Sequence, residues 1–594
     1  MLRLLLLLGC SLFAAAIRFH ELIPDGETHF QGIPVEKYVE RMDRIMELNH
    51  KLMNLTTPIP SFESIEWDQN AAPDQNPFLY QGDITLTEQQ LDALVRDFEI
   101  ALAEKEGRPA PERLFSANNF FWKSFPIRWN IDYRSPPGGG IEGVRKAIAM
   151  WEQATCVTFQ QHQNPQMIFV NNGRVCSSPV NHMQAVNYVY LGPGCGTPGV
   201  IAHEIGHSLG LFHTQSRPDA KNNVHIYKQR IITSAEFNFN QPDWFYHATD
   251  RGLPYDFGSL MSYGHNAFAR DGHSTTIDPI DKNFLQSMGQ RAGPAFSDAK
   301  EVNMVYCSNI CPQTLPCAHG GYTDPKDCSK CRCPDGLSGK LCDTLASSAA
   351  QCGETDFEAT AEYQTLKGNG VGRCNYRITA PEGTKVAILV DYASFGGGNY
   401  EDSGCSFNFL EVKYSPSLEV AGARFCPTAW NSRRQRVVRA EQSRKDVFVI
   451  FQSYNSQYGF SLRFRHEPRD RPVFPTNAPT APPTAPPTAS PTAPPVGTSG
   501  APVEAPESTV SPRTLAPSTE APSGADEWGP WSRCSFACGG CGKRTRSKIG
   551  NPGEVEQDYC NLSPCRGHFN SKLYCCRPFV YVDVVQKCVR YENV

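Results

Sequence analysis

The chain has 594 residues, a length that at roughly 150 residues per domain predicts about four folded units. Hydrophobic residues make up 40% of it at a mean hydropathy of -0.41, and no stretch after residue 16 is apolar enough to span a bilayer, which excludes an integral membrane segment. With 56 Lys and Arg against 61 Asp and Glu the net charge is -5, so no nucleic-acid partner is expected.

Arg3 precedes the apolar run Leu4 to Leu8, with Leu12 and Phe13, and the run closes on Ala14, Ala15 and Ala16. That order of charged, apolar and small residues predicts a secretory signal cleaved after Ala16 and a secreted, extracellular product. Of 23 cysteines, Cys10 falls inside the signal and 22 remain, an even set suited to an oxidising compartment. They divide into four from Cys156 to Cys307, six from Cys311 to Cys342, four from Cys352 to Cys426 and eight from Cys534 onward. Each group is even and can close internally.

From Arg18 to Ser116 the chain is polar, free of cysteine and broken by Pro58, Pro60, Pro73 and Pro77, which predicts an appendage and not a catalytic core. One helix stands out, over Glu88 to Lys105: Thr87 and Gln90 form a capping box, Leu86 and Leu91 can staple across it, and Leu91, Leu94, Val95, Phe98 and Leu102 recur at helical spacing. Between Phe121 and Cys307 the signals alternate. A strand at Ile127 to Ile131, an amphipathic helix with Val144, Ile148 and Trp151, and strands at Met167 to Val170 and Ala185 to Leu191 predict a mixed α+β domain. From Cys352 to His466, short apolar runs such as Val386 to Val390 and Val447 to Phe451 predict a β-sandwich. Pro472 to Gly524 is dominated by Pro, Thr, Ala and Ser and predicts an extended, O-glycosylated stalk. After Trp528 eight cysteines crowd the chain, so crosslinks must carry its stability. Asn54 and Asn561 open the Asn-x-Ser/Thr sequons.

The chemistry is concentrated between Val200 and His213. On a helix, His203 and His207 share a face and aim two imidazoles at one point, with Glu204 beside them. Gly210 lets the chain stop and turn, so that His213 returns as a third ligand. Three neutral imidazoles leave one position open, the arrangement of a catalytic zinc site, with one zinc ion as the expected cofactor. Glu204 would accept a proton from water there and deliver one to the leaving amine. Downstream, Ser259-Leu260-Met261-Ser262-Tyr263 supplies the methionine turn that, with the extended histidine motif, marks the metzincin group.

Within that group the run His203 to Asp219, ending Arg217-Pro218-Asp219, resembles the astacin family of zinc metalloendopeptidases, and the resemblance covers Phe121 to Cys307. It implies that Tyr263 is a zinc ligand in the free enzyme that swings away to stabilise the oxyanion. It also implies the disulfides Cys156–Cys307 and Cys176–Cys195, the second bracing the strand Ala185 to Leu191, which would line the cleft and pair with substrate backbone. Tyr80-Gln81-Gly82-Asp83 resembles the Phe-x-Gly-Asp segment of astacin propeptides, so Asp83 is the expected zymogen latch on the metal. Family members often prefer an acidic residue after the cut, and Arg291 is the expected complementary charge. Two features depart from the family. Thr214 replaces the Glu that binds the new N-terminal ammonium, and no dibasic site precedes the catalytic domain. Arg113, before Leu114-Phe115-Ser116, is the nearest basic residue and implies a separate, trypsin-like activating protease.

Cys311, Cys317, Cys328, Cys331, Cys333 and Cys342 resemble an EGF-like module. Cys352 to His466 resembles a CUB domain with bridges Cys352–Cys374 and Cys405–Cys426. Asn408 replaces an Asp of calcium-binding CUB domains, and losing a carboxylate argues against strong calcium binding. Trp528, Trp531, Cys534 and Cys538, followed by Arg544 and Arg546, resemble a thrombospondin type 1 repeat in which arginines layer between tryptophans. The expected organisation is therefore a signal peptide (1–16), a propeptide (17–115), a catalytic domain (116–308), an EGF-like module (309–343), a CUB domain (352–466), a linker (467–525), a thrombospondin repeat (526–566) and a cysteine-containing tail (567–594). This order resembles the nematode astacins, which act in moulting, hatching and cuticle collagen processing. The expected function is a secreted zinc endopeptidase, made as a zymogen, cleaving extracellular matrix or cuticle protein. Matrix or sulfated-glycan contacts would run through the CUB and thrombospondin modules. The competing class is a catalytically weak adhesive matrix protein acting through those same modules.

Overall fold

A computed structural model describes residues 16–23, 26–56, 58–68, 74–109, 121–171, 175–182, 185–239, 251–395, 405–426, 436–439 and 445–469, and short strands between 542 and 590. The signal segment before Ala16, Arg113, the stalk, Trp528, Trp531, Cys534, Cys538 and Asn561 lie outside the described residues. The chain forms two units, Met1–Asn477 and Ala478–Val594. Among the described residues no helix is long and apolar enough to cross a membrane.

The first stretch is better built than its polar composition predicts. Helix α1, Val35–Leu52, packs beside α2, Glu88–Lys105. Around α1 gathers an aromatic cluster of Phe19, Phe30, Tyr38, Phe62 and Phe78, and Tyr38 donates its hydroxyl to the Phe78 carbonyl. Tyr38, Met42, Ile45, Met46 and Asn49 are its buried face, spaced at the helical period. The α2 capping box is closed on both sides: Gln90 N donates to Thr87 Oγ1 at 3.2 Å, and Thr87 N to Gln90 Oε1 at 2.8 Å. Asn54 is exposed just beyond α1, its Oδ1 accepting from Lys105 Nζ.

A six-stranded sheet underlies the histidine segment. Its strands are β1 (Ile84–Thr85), β2 (Ile127–Ile131), β3 (Phe159–Gln161), β4 (Met167–Val170), β5 (Cys176–Pro179) and β6 (Asn187–Leu191), in the order β1-β5-β6-β4-β2-β3. Pairing is parallel except between β5 and β6. This corrects one expectation. The strand before the active-site helix, β6, lies inside the sheet, and β5 is the catalytic domain's outer strand; it pairs with β1, from the segment that precedes that domain, Ile84 opposite Ser178. Helices α3 (Gly140–Ala154) and α4 (Pro198–Ser208) pack together, with Trp151 Nε1 donating to the Ala202 carbonyl. Helix α5, Phe296–Tyr306, closes the domain. The disulfide Cys156–Cys307 ties the end of α3 to the end of α5, and Cys176–Cys195 ties β5 to the loop before α4.

Beyond α5, bridges Cys311–Cys328, Cys317–Cys331 and Cys333–Cys342 staple a small module around the hairpin Tyr322–Asp324 and Asp327–Arg332. A sandwich of two sheets follows. One runs Asp356–Glu358, Gly372–Thr379, Asp446–Ser453, Phe409–Lys413, Ala423–Phe425; the other Gln364–Asn369, Gly459–Pro468, Thr384–Ser394, Arg436–Arg439. Cys352–Cys374 and Cys405–Cys426 are bonded in it, and Asn408 Oδ1 accepts from Tyr454 N. In the second unit the described strands form the hairpins Gly542–Lys548 with Asn551–Cys560, Cys565–Arg566 with Leu573–Tyr574, and Phe579–Val582 with Lys587–Arg590.

Candidate metal centre

Helix α4 starts on a Thr197 cap with Pro198 in its first turn, where a missing N–H costs nothing. It presents His203, Glu204 and His207 inward, all fully buried. It stops at Gly210, whose φ of +103° belongs to the left-handed region and whose Cβ, if present, would meet Asn181 Oδ1 at 2.4 Å. The chain then returns as expected and brings His213 back, also fully buried.

Asp83, from the loop before β1, completes the cluster. Its Oδ2 lies 3.0 Å from His203 Nε2 and 3.1 Å from His213 Nε2, its Oδ1 3.3 Å from His207 Nε2, and the Nε2 atoms of His203 and His213 are 3.2 Å apart. A tetrahedral zinc with ligands about 2.0–2.1 Å away sets them about 3.3–3.4 Å from one another. The observed spacings of 3.0–3.3 Å lie at or just below that figure.

The proton arrangement fits as well. His203 Nδ1 faces the Leu260 carbonyl at 2.9 Å, His207 Nδ1 the Leu211 carbonyl at 2.8 Å, and His213 Nδ1 the side-chain oxygen of Gln81 at 3.0 Å. A nitrogen facing an acceptor carries the ring proton, so every Nε2 turns a lone pair toward the carboxylate. Three lone pairs and an anion converging within 4.8 Å repel one another unless a cation lies among them. Burial lowers His213 to about 3, and burial with the nearby charge of Arg291 lowers His203 as well, which keeps both imidazoles neutral. Burial opposes the charge of Asp83, so its carboxylate, like the three lone pairs, calls for a cation at the point where they converge.

Glu204 is different. Burial, with Asp83 and Asp74 adding to it, pushes its carboxyl well above the ordinary value, and neither oxygen has a hydrogen-bond partner among the described residues. Met261 lies under α4, its sulfur 2.9 Å from where a Cβ on Gly206 would sit. Asp298 fixes that turn, accepting from Ser259 Oγ at 2.5 Å, Leu260 N at 2.7 Å and Ala295 N at 2.8 Å. Tyr263 packs tilted against His213, ring centroids 4.5 Å and planes 49° apart, and donates its hydroxyl to the Gln81 carbonyl. Thr214, where the family carries Glu, is buried with its hydroxyl toward the Met261 carbonyl.

Arg291 borders the same centre. Its Nη1 donates to the carbonyls of Leu260, Ser262 and Gln290 at 3.0–3.1 Å, and its Nη2 meets Asp74 Oδ2 at 3.0 Å. Sequence reasoning did not single out Asp74 or the Gln81 side chain. Their only signal was membership of the segment that carries the Gly-Asp motif.

The profile of the astacin peptidase family matches residues 115–307. Zinc metalloproteinase nas-34 of Caenorhabditis elegans is 34% identical over 94% of this chain and 91% of its own length. Zinc metalloproteinase dpy-31 of the same organism is 29% identical over 73% of this chain and 74% of its own. Among solved structures, high choriolytic enzyme 1, a hatching enzyme zinc-protease from Oryzias latipes, aligns at 28% identity and a TM-score of 0.30, covering 32% of this chain and 96% of that one. With nas-34 34% identical over 94% of this chain and 91% of its own length, and with a histidine cluster spaced for zinc, the chain belongs to the astacin family of zinc metalloendopeptidases.

Proposed function

We propose that the protein is a secreted zymogen whose mature enzyme cleaves extracellular matrix or cuticle proteins. The observation that carries the reading is the converging set of three imidazole lone pairs on one carboxylate from a different segment of the chain. Asp83 acts as the latch, because it fills the position a substrate oxygen would need. The nematode relatives and the seven disulfides among the described residues support an extracellular site of action.

His203, His207 and His213 hold zinc, with the Leu260 and Leu211 carbonyls fixing two of the rings. Zinc, when bound, supplies Lewis acidity toward water and the scissile carbonyl. Glu204 is the general base: buried beside His203 and His207, with neither carboxylate oxygen hydrogen-bonded among the described residues, it can take a proton and pass it to the leaving amine. Tyr263 donates to the oxyanion. Its present bond to the Gln81 carbonyl supports this, since a carbonyl beside His213 is what a bound substrate would offer. Arg291 binds an acidic side chain just after the cut, and its pairing with Asp74 supports a carboxylate partner.

The test is metal analysis with hydrolysis of a casein-type substrate, before and after trypsin treatment of the full chain. One zinc per chain, activity only after treatment, and loss with a chelator restored by zinc are expected. Full zinc content with no hydrolysis after propeptide removal would instead favour the adhesive reading.

A further inference from the structure

The segment that ends in Arg291 is hydrogen-bonded to the β-sandwich as well as to the catalytic domain. Gln286 accepts from Cys405 N through its main-chain carbonyl at 3.1 Å, and its side chain donates to the Cys426 carbonyl at 2.8 Å. Ser287 Oγ donates to the Gly422 carbonyl and accepts from Arg424 N, both at 2.9 Å. Arg291 N donates to Ser406 Oγ at 3.1 Å. Cys405 and Cys426, which bracket these contacts, are joined by a disulfide, so the sandwich meets the segment with a crosslinked edge.

Arg291 is pinned on its other side by the active-site helix. A Cβ at Gly199, in the first turn of α4, would fall 1.6 Å from the Arg291 carbonyl oxygen. Its main chain is therefore caught between the helix that bears His203 and a serine from another module. The guanidinium has one arm committed to three carbonyls, and the other reaches a carboxylate. A side chain held this way recognises charge only as well as its main chain is placed, because a misplacement of about 1 Å at a binding group can cost about 100-fold.

We propose that Ser406 of the β-sandwich is a positioning residue for the specificity of the protease, setting Arg291 in register with the metal centre. The proposal rests on the reading of Arg291 as the receptor for an acidic residue after the scissile bond. The sandwich thereby forms part of the substrate pocket, and the enzyme's preference depends on a module outside the catalytic domain.

Two peptides differing only by Asp or Asn directly after the cut, assayed with the trypsin-activated full chain, give the test as the ratio of their kcat/KM values. Arg291→Gln should collapse the ratio toward one. Ser406→Ala should lower it about 3–10-fold through KM for the Asp peptide, and Ser406→Thr, which keeps the hydroxyl, should restore it. A ratio within twofold of wild type in Ser406→Ala, with Arg291→Gln collapsed, overturns the role of Ser406 and leaves Arg291 standing. A wild-type ratio near one, or one unmoved by Arg291→Gln, removes the reading of Arg291 and this proposal with it. Equal losses on both peptides in Ser406→Ala, not restored by Thr, would mark a purely structural contact and overturn the proposal too.

Discussion

The catalytic domain and the pro-segment are both packed, yet they are secured by different means. The catalytic domain has Cys156–Cys307 and Cys176–Cys195 across its elements, while Arg18 to Ser116 contains no cysteine. The pro-segment is held by aromatic packing, a two-residue strand and side chains inserted at the active site. The difference suits the proposed zymogen: the part that would stay is crosslinked, and the part that would leave relies on contacts that one cut would release together. Its hold on the site is concentrated in one loop. Gly82, at φ +81°, has the Asp74 carbonyl oxygen 2.6 Å from where a Cβ would be, so the loop folds back and offers Asp74 to Arg291 and Asp83 to the histidines at once.

That contrast can be broken from either side. The largest expected effect is on the catalytic side: Glu204→Gln should lower kcat of the activated enzyme by about 10²–10⁴-fold while zinc content stays at one per chain, as read by elemental analysis. Next is the latch. Asp83→Ala should give the untreated full chain measurable peptidase activity, about 10–100-fold above wild-type background, because the loss of a buried charged partner is worth about 1.5–3 kcal/mol; silence equal to wild type would show that latency lies elsewhere. Gly82→Ala forces a Cβ into a left-handed position against backbone, a strain of about 1–3 kcal/mol, and should raise background activity about tenfold with the mature enzyme unaffected.

The smallest effect is a pH dependence within the crosslinked part. Burial lifts the Asp298 carboxyl from 3.8 to about 6 against the hydrogen bonds from Ser259 and Leu260. Between those values the folded protein holds a proton that the unfolded chain does not, so this group's contribution to stability rises as pH falls from about 6 to about 4, by at most about 3 kcal/mol. The thermal midpoint of wild type should therefore gain on that of Asp298→Asn over that window. A constant difference between the two would contradict the assignment.

Much of this was legible because its signals are local. The spacing of His203, Glu204 and His207, with the glycine before His213, encodes a helix, a stop and a return, and Thr87 with Gln90 encodes a cap; each is settled within a few residues. Helix α1 was equally local, through Tyr38, Met42, Ile45 and Met46, but the polar residues between them and the flanking prolines masked its period. The clamp of Ser406 on Arg291 and the salt bridge of Asp74 join residues 115 and 217 positions apart. No periodicity carries such pairings, which arise only when separately folded parts meet. Strand order was hidden for the same reason: the Ala185 to Leu191 pattern marks a strand but does not say which neighbour covers it.

The pairing of β1 with Cys176–Pro179 bears on the mature enzyme that the zymogen proposal implies. With the segment that carries β1 removed, as the proposed zymogen requires, the main-chain amides and carbonyls on that side of β5 would have no companion, and such a row is a template on which copies of a protein can stack into aggregates. Here the template is only four residues long and finishes in Pro179, whose ring nitrogen has no hydrogen to donate. A strand so short, closed by a proline, is the kind of edge that limits self-association.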